Sequence, residues 1–131
     1  MMDKRILIVD DEEDSVAFVR AVLEEDFAGI SSANDGEAGL AAAEAETPDL
    51  IILDVQMPKK DGFQVFQDLQ RNEATRGIPV IMLTGIEEKS GLKFSREDMG
   101  KYFGAEPKAY VEKPVDPETL RATVDKVLAG A

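Results

Sequence analysis

The stretch Leu50–Asp54, with the sequence LIILD, constrains the fold more than any other part of the chain. Four consecutive aliphatic residues lead into a carboxylate, and Pro48 and Pro58 bound the run. A short aliphatic run of this kind predicts a strand buried on both faces, as in the middle of a parallel sheet. The charge of Asp54 would then lie where the dry strand ends, which is costly unless another group pairs with it.

Composition and charge exclude several classes of function. The chain has 131 residues, 44% of them hydrophobic, which predicts one globular domain over residues 1–131. It has neither cysteine nor histidine, so thiolate and histidine nucleophiles and metals held by these residues are excluded. The net charge of −12 disfavours nucleic acid or an anionic membrane as a direct partner. Without a signal region or an 18-residue apolar run, we expect a soluble, cytoplasmic protein.

Further aliphatic runs predict four more strands, and helical patterns alternate with them. Such alternation predicts an α/β fold of three layers, in which a five-stranded parallel sheet is covered by helices on both faces. The other predicted strands are Arg5–Val9, Gly29–Ala33, Pro79–Leu83 and Ala109–Val111.

Two of the predicted helices have apolar faces that we expect to pack on the sheet. The stripe of the first helix has helical spacing and consists of Val16, Phe18, Val19, Val22 and Leu23. The second helix, Glu37–Glu46, is rich in alanine. Its residues expected to pack closely on the sheet are Ala38, Ala41, Ala42 and Ala45.

Polar residues follow four of the predicted strands. Because crossovers between parallel strands are right-handed almost without exception, the carboxyl ends of all the strands lie at one edge of the sheet, where ligands bind in open α/β sheets. Each residue alone also has an ordinary interpretation, as a helix-capping acid, a turn hydroxyl or a surface lysine. Their coincidence at one edge favours a functional site made of Asp10, Asp11, Asp54, Thr84 and Lys113.

The chemistry of this predicted site follows from its charges. Two carboxylates about 4 Å apart repel by roughly 4 kcal/mol at an effective dielectric constant near 20, so three of them require a cation. Oxygen ligands favour Mg²⁺, and Mn²⁺ would also fit. Lys113 adds a positive charge, and Mg²⁺ held by few carboxylates usually completes its shell with a phosphoryl oxygen. We therefore predict phosphoryl chemistry, with Asp54 as the nucleophile that forms an aspartyl phosphate.

Four motifs make the chain resemble a known family: DD at residues 10–11, LDVQMPxxDG at 53–62, LTG at 83–85 and YVEKP at 110–114. They are similar to those of response regulator receiver domains of two-component signalling, in particular stand-alone, chemotaxis-regulator-like ones. The resemblance covers essentially the whole chain. It implies a flavodoxin-like sheet of strand order 2-1-3-4-5. It also implies transfer of a phosphoryl group to Asp54 from the phosphohistidine of a sensor kinase or phosphotransfer protein, and signalling through a downstream protein effector.

The resemblance also implies individual roles at the site. Asp11 and Asp54 would ligate Mg²⁺ together with the backbone carbonyl of Gln56, and Asp10 would act partly through bound water. Lys113 would bind a phosphoryl oxygen, and its peptide bond to the following proline would be cis.

A conformational switch is implied by the resemblance as well. The Thr84 hydroxyl would move to donate to the phosphoryl group, and Tyr110 would turn inward to fill the space that Thr84 leaves. The face from about Ile86 to Leu128 would then shift between two packings. Gln56 and Ile86 would tune the lifetime of the aspartyl phosphate, because they border the path of the attacking water. We expect an aliphatic Ile86 to hinder that water and the Gln56 amide to orient it.

The segment Gly85–Lys108 departs from the family in being longer, and it carries no net charge. We interpret it either as an irregular fourth helix that shapes a partner-specific surface or as an insertion without a role.

Alternative functions remain open from the sequence. A phosphorelay intermediate or a phosphate sink would use the same five site residues. A Mg²⁺-dependent phosphatase with an aspartate nucleophile would need an acid two residues after it, where this chain has Gln56. A flavin-binding protein of the same fold would need a phosphate-binding loop in place of Asp10 and Asp11. We expect a monomer or weak dimer that is no enzyme beyond its own phosphorylation and dephosphorylation.

Overall fold

The computed structural model describes residues 3–85 and 107–130 of the chain. These residues form a single parallel sheet of order β2-β1-β3-β4-β5, packed between helices. The predicted α/β fold and the strand order implied by the resemblance are both confirmed. The elements are β1 (Arg5–Val9), α1 (Glu13–Leu23), β2 (Gly29–Ala33), α2 (Gly36–Glu46), β3 (Leu50–Asp54), α3 (Gly62–Arg71), β4 (Val80–Thr84), β5 (Ala109–Glu112) and α4 (Pro117–Gly130). The interpretation of Gly85–Lys108 as a remodelled helix falls almost wholly outside the described residues.

Strand β3 is the centre of the fold, and every one of its residues is buried. It pairs with β1 on one side and β4 on the other, and alternate side chains point to opposite faces of the sheet. Leu50 and Ile52 join the apolar cluster beneath α1 and α4, whereas Ile51 and Leu53 join the one beneath α2 and α3. Burial on both faces explains the unbroken aliphatic run, and it brings Asp54 to the carboxyl edge of the sheet.

The packing face predicted for α2 was wrong at three of its four residues, and only Ala42 packs, half-buried, against the apolar cluster beneath α2 and α3. Ala38, Ala41 and Ala45 are exposed, and the buried residues of the helix are Gly36, Gly39 and Ala43. A Cβ atom added to Gly39 would lie 2.7 Å from Cγ1 of Val9, so the helix approaches β1 too closely for a side chain at that position. The face with the smallest side chains therefore packs on the sheet, although alanine is the more hydrophobic residue.

The apolar stripe predicted for α1 was too wide. Val19, Val22 and Leu23 are buried, but Phe18 is 42% exposed. With 3.6 residues per turn, the three buried residues span an arc of about 100° around the helix axis. Phe18 falls outside that arc, at the border of the stripe facing away from the sheet.

The turn between β3 and α3 folds back onto the strand that carries Asp54. Asp61 caps α3 by accepting a hydrogen bond from the Gln64 backbone N–H (2.9 Å), and the Gln64 side chain accepts one from the Asp61 backbone N–H (3.1 Å). The backbone N–H of Gly62 donates to the carbonyl of Val55 (2.8 Å). The DG pair that ends the motif LDVQMPxxDG thus fixes the start of α3 against the end of β3.

Replacing Gly62 by alanine is expected to destabilise the protein by about 3 kcal/mol. The added Cβ would collide with the carbonyl oxygen of Asp54 and lie 2.8 Å from the Cα of Val55, and backbone atoms of a central strand cannot give way easily. Urea denaturation followed by circular dichroism measures the change. Gly77→Ala is the matched control, since its added Cβ would meet no atom within 4 Å; equal effects of the two substitutions would contradict the close approach at Gly62.

Candidate functional site

The carboxyl edge of the sheet brings together three of the predicted site residues. Asp10 directly follows β1, Asp54 ends β3, and Lys113 directly follows β5. Both carboxylates are buried, with 1% of each residue exposed. The ammonium Nζ of Lys113 lies 2.9 Å from Oδ1 of Asp54 and 3.4 Å from Oδ2 of Asp10. Lys113 is therefore the group that pairs with the charge at the end of the buried strand.

The backbone around Lys113 is tied to the neighbouring strand. Its N–H donates to the carbonyl of Thr84 at 2.6 Å, continuing the ladder between β4 and β5 by one residue. The peptide bond between Lys113 and Pro114 is cis, as the resemblance implied. The hydrogen bond to Thr84 holds the lysine where β4 and β5 end, within reach of the acidic side chains at the ends of β1 and β3.

Glu12 belongs to the same cluster, although it was not among the site residues predicted from the sequence. Its Oε1 lies 3.5 Å from Nζ of Lys113, and one carboxylate oxygen from each of Asp10, Glu12 and Asp54 lies within 4.8 Å of the others. Glu12 occupies the N-cap position of α1, but its side chain makes no capping hydrogen bond. Acidic residues near a helix start are usually explained by their favourable interaction with the helix dipole. That explanation was sufficient for Glu12 in the sequence, so its contact with Lys113 was not predicted.

Asp11 lies beside the cluster rather than in it. The group of acidic oxygens within 4.8 Å that the described residues form does not include it. Its negative charge nevertheless contributes to raising the pKa of Asp54. Oδ1 of Asp11 is buried, and so is Oδ2 of Asp54; neither atom has a hydrogen-bond partner among residues 3–85 and 107–130.

The electrostatics of the site show a deficit of positive charge. Burial raises the pKa of Asp54 to about 6, and the charges of Asp10 and Asp11 add to this rise while Lys113 opposes it. Burial also raises the pKa of Asp10, against the hydrogen bond from the Glu12 backbone and the charge of Lys113. Burial alone would lower the pKa of Lys113, but the surrounding carboxylates raise it above its ordinary value. Among residues 3–85 and 107–130, the Lys113 ammonium is the cation paired with these carboxylates, and one such group does not neutralise them all.

The residues present fit a hard divalent cation. Asp10, Glu12 and Asp54 supply carboxylate oxygens close enough together to hold a metal ion. Oδ2 of Asp54 is buried and has no hydrogen-bond partner in the described part of the chain, and such carboxylate oxygens are rare unless an ion or water satisfies them. Oxygen-only ligands with excess negative charge match Mg²⁺ and exclude soft metals.

The remaining predicted residues are not part of the group of charged side chains around Lys113. Thr84 ends β4 and is half-buried. Tyr110 pairs in register with Met82 and packs, half-buried, against the apolar cluster beneath α2 and α3. Gln56 is exposed two residues after Asp54. Ile86 falls outside the described residues.

Together the fold and the site define a receiver domain. The chain belongs to the response regulator receiver domain family, whose family model matches residues 6–125. The resemblance carried by the four sequence motifs is thereby confirmed. Receiver domains of this family bind Mg²⁺ and interact with histidine kinases or phosphotransfer proteins.

Similar proteins include both short and long ones. The chain is 38% identical over 126 residues to Protein PilH of Pseudomonas aeruginosa, and the match covers 96% of this chain and 98% of PilH. It is 39% identical over 127 residues to the alkaline phosphatase synthesis transcriptional regulatory protein PhoP of Bacillus subtilis, covering 97% of this chain but only 49% of PhoP. The chain thus spans about half the length of PhoP.

The same likeness holds for solved structures. The chemotaxis protein CheY4 of Vibrio cholerae has a TM-score of 0.78 and 31% sequence identity, and the match covers 95% of this chain and 98% of CheY4.

Among the described helices, none has the length and apolar character needed to cross a membrane.

Proposed function

We propose that this protein is a phosphorylation-activated signalling switch in which Asp54 accepts a phosphoryl group in a Mg²⁺-dependent reaction. The observation that carries the proposal is the state of the Asp54 carboxylate. It is buried at the carboxyl edge of the sheet, Lys113 holds its Oδ1 at 2.9 Å, and its Oδ2 has no hydrogen-bond partner among the described residues. One oxygen is thus anchored while the other is available as a nucleophile.

In the proposed reaction an oxygen of Asp54 attacks the phosphorus of the donor. The bond from phosphorus to the donor's imidazole nitrogen breaks, and the imidazole leaves with the electron pair. The ammonium of Lys113, already in contact with the acceptor, neutralises charge that collects on the phosphoryl oxygens. Catalysis of phosphoryl transfer depends mainly on positioning and charge stabilisation. Asp54 and Lys113, which the fold holds in place, therefore supply what the reaction needs from the protein's side chains.

The metal would be held by oxygens around Asp54. Asp10, Asp11 and Asp54 are the proposed ligands, together with the backbone carbonyl of Gln56. When bound, Mg²⁺ supplies positive charge that offsets both the carboxylates and the incoming phosphoryl oxygens. The buried Oδ1 of Asp11, which has no hydrogen-bond partner among the described residues, supports this assignment.

Phosphorylation would be communicated through Thr84 and Tyr110. The Thr84 hydroxyl, at the end of β4, would donate a hydrogen bond to the phosphoryl group. Tyr110 lies on the adjacent strand, two register positions before Thr84, and its ring would turn to fill the space vacated. A downstream protein that prefers the phosphorylated packing biases the equilibrium by its differential affinity for the two packings.

The proposed partners follow from the same chemistry. A sensor histidine kinase or a phosphotransfer protein would donate the phosphoryl group, and a protein effector in the cytoplasm would respond to it. Relay of the group to a further protein would use the same residues. Turnover of free phosphate esters is disfavoured, because the exposed Gln56 amide stands where a phosphatase of this kind needs an acid.

Incubation of the full chain with acetyl phosphate and Mg²⁺ tests the proposal. We expect a mass increase of about 80 Da, the mass of one added phosphoryl group. The increase should be absent when EDTA removes the metal. A wild-type protein that gains no mass with Mg²⁺ present would contradict the proposed function.

A further inference from the structure

Glu12 has no part in the phosphoryl transfer proposed above, yet it contacts a group that does. Its Oε1 lies 3.5 Å from Nζ of Lys113, and 66% of its side chain is exposed. The other carboxylates in ion-pair distance of Lys113, among residues 3–85 and 107–130, are Asp10 and Asp54. Glu12 is therefore the partner of the lysine that lies at the rim of the site.

The three carboxylates differ in their freedom to move. The Asp54 side chain is 2% exposed and that of Asp10 is fully buried, so the packed end of the sheet fixes both. Asp10 is held further by the backbone N–H of Glu12, which donates to its Oδ1 at 2.9 Å. The side chain of Glu12 is longer, exposed and free of any capping bond to α1. Of the three, only Glu12 can leave Lys113 without disturbing the core.

A phosphoryl group on Asp54 would compete directly with Glu12. Both are anions, and both would need the same ammonium, which has the three donors of a lysine and is already shared between carboxylates. The Glu12 carboxylate has an oxygen within 4.8 Å of an Asp54 oxygen, so its charge would also repel the incoming group. The lysine must exchange one anion for the other.

We propose that Glu12 is a positioning residue and the exchangeable counter-ion of Lys113 in the unphosphorylated protein. It opposes binding of a phosphoryl group until it releases the lysine. The inference rests on the proposed function of Asp54. Glu12 thereby sets how readily the site accepts a phosphoryl group, without touching that group itself.

The test compares the full-length wild type with Glu12→Gln, which removes the charge and keeps the shape. Beryllofluoride, a non-covalent phosphoryl mimic, is titrated with Mg²⁺ present and followed by NMR, and the rate of phosphorylation by acetyl phosphate is measured separately. We expect both the affinity for the mimic and the rate to increase roughly two- to fivefold, the range of an exposed ion pair. The gain should shrink at high ionic strength, because salt screens exposed charges.

Two control variants separate charge from position and shape. Glu13→Gln removes the same charge one residue further along α1, at another exposed position, and is expected to leave the affinity for beryllofluoride unchanged. Glu12→Asp keeps the charge beside Lys113 and is expected to stay within about twofold of the wild type, since the ion pair is weak in either form.

Three outcomes overturn the inference. One is an unchanged or reduced affinity for beryllofluoride in Glu12→Gln. The second is an equal gain in Glu13→Gln. The third is a loss of more than about tenfold in Mg²⁺ affinity in Glu12→Gln, titrated with the metal alone, which would assign Glu12 to metal binding, as a ligand or as a support of the ligands. If the wild type accepts no phosphoryl group, the proposed function fails and this inference fails with it. If it does accept one and Glu12→Gln is no better, the inference alone fails.

Discussion

Replacing Asp54 by asparagine is expected to abolish phosphorylation by acetyl phosphate, so that the mass increase of about 80 Da disappears. The amide has the same shape as the carboxylate but no anionic oxygen to attack phosphorus. Intact-protein mass spectrometry in the presence of Mg²⁺ measures the phosphorylated fraction, and the loss should exceed a hundredfold because the nucleophile itself is removed.

The control for this substitution is Asp125→Asn, which makes the same chemical change on the exposed surface of α4. It should be phosphorylated as fast as the wild type. Persistent phosphorylation of Asp54→Asn would show that another carboxylate accepts the group. Asp10 would then be the first residue to examine, since it is equally buried and also contacts Lys113.

The sequence predicted the sheet and its carboxyl edge because aliphatic runs encode buried strands directly. Leu50–Leu53 can be uninterrupted only where both faces of a strand are covered, and this fixes where Asp54 emerges. Asp10 and Lys113 followed from the same reasoning applied to β1 and β5. The order of the strands could not be predicted from the aliphatic runs, and it was predicted only because the motifs resemble those of a known family.

The errors arose where the deciding contact is between elements far apart in sequence. Hydrophobicity favours the alanines over Gly39 as the buried residues of α2, and only the distance to Val9 explains why the glycine faces the sheet. Glu12 reads as an ordinary acid at a helix start, and its role depends on a lysine 101 residues away in the chain. Phe18 satisfied the helical spacing but lies just beyond the arc that the sheet covers.

The metal-free protein is expected to become less stable as the pH rises from about 4 to about 7, which reverses the usual response of paired carboxylates. Burial raises the pKa of Asp54 in the folded protein to about 6, against 3.8 for an ordinary aspartate. Over this interval the unfolded chain loses the proton first, so ionisation favours unfolding. Linkage gives a total loss in the free energy of unfolding of about 3 kcal/mol, of which about 2 kcal/mol falls between pH 4.5 and 7.5.

The raised pKa of Asp10 changes the stability in the same direction. The raised pKa of Lys113 affects stability only at alkaline pH, where the lysine deprotonates and its contribution to the stability of the folded protein is lost.

Urea denaturation in EDTA at about pH 4.5 and 7.5 measures this dependence, and Asp54→Asn isolates the contribution of Asp54. Other carboxylates titrate identically in the two proteins to a first approximation, so the difference between their slopes belongs to Asp54. We expect the asparagine variant to lose about 2 kcal/mol less than the wild type between the two pH values. Millimolar Mg²⁺ should restore the stability of the wild type at pH 7.5 but hardly at pH 4.5, because the cation competes with the proton for the same oxygens and stabilises only the folded state. Equal slopes in the two proteins would mean that Asp54 titrates like an exposed aspartate, and the electrostatic strain on which metal and phosphoryl binding are built would be absent.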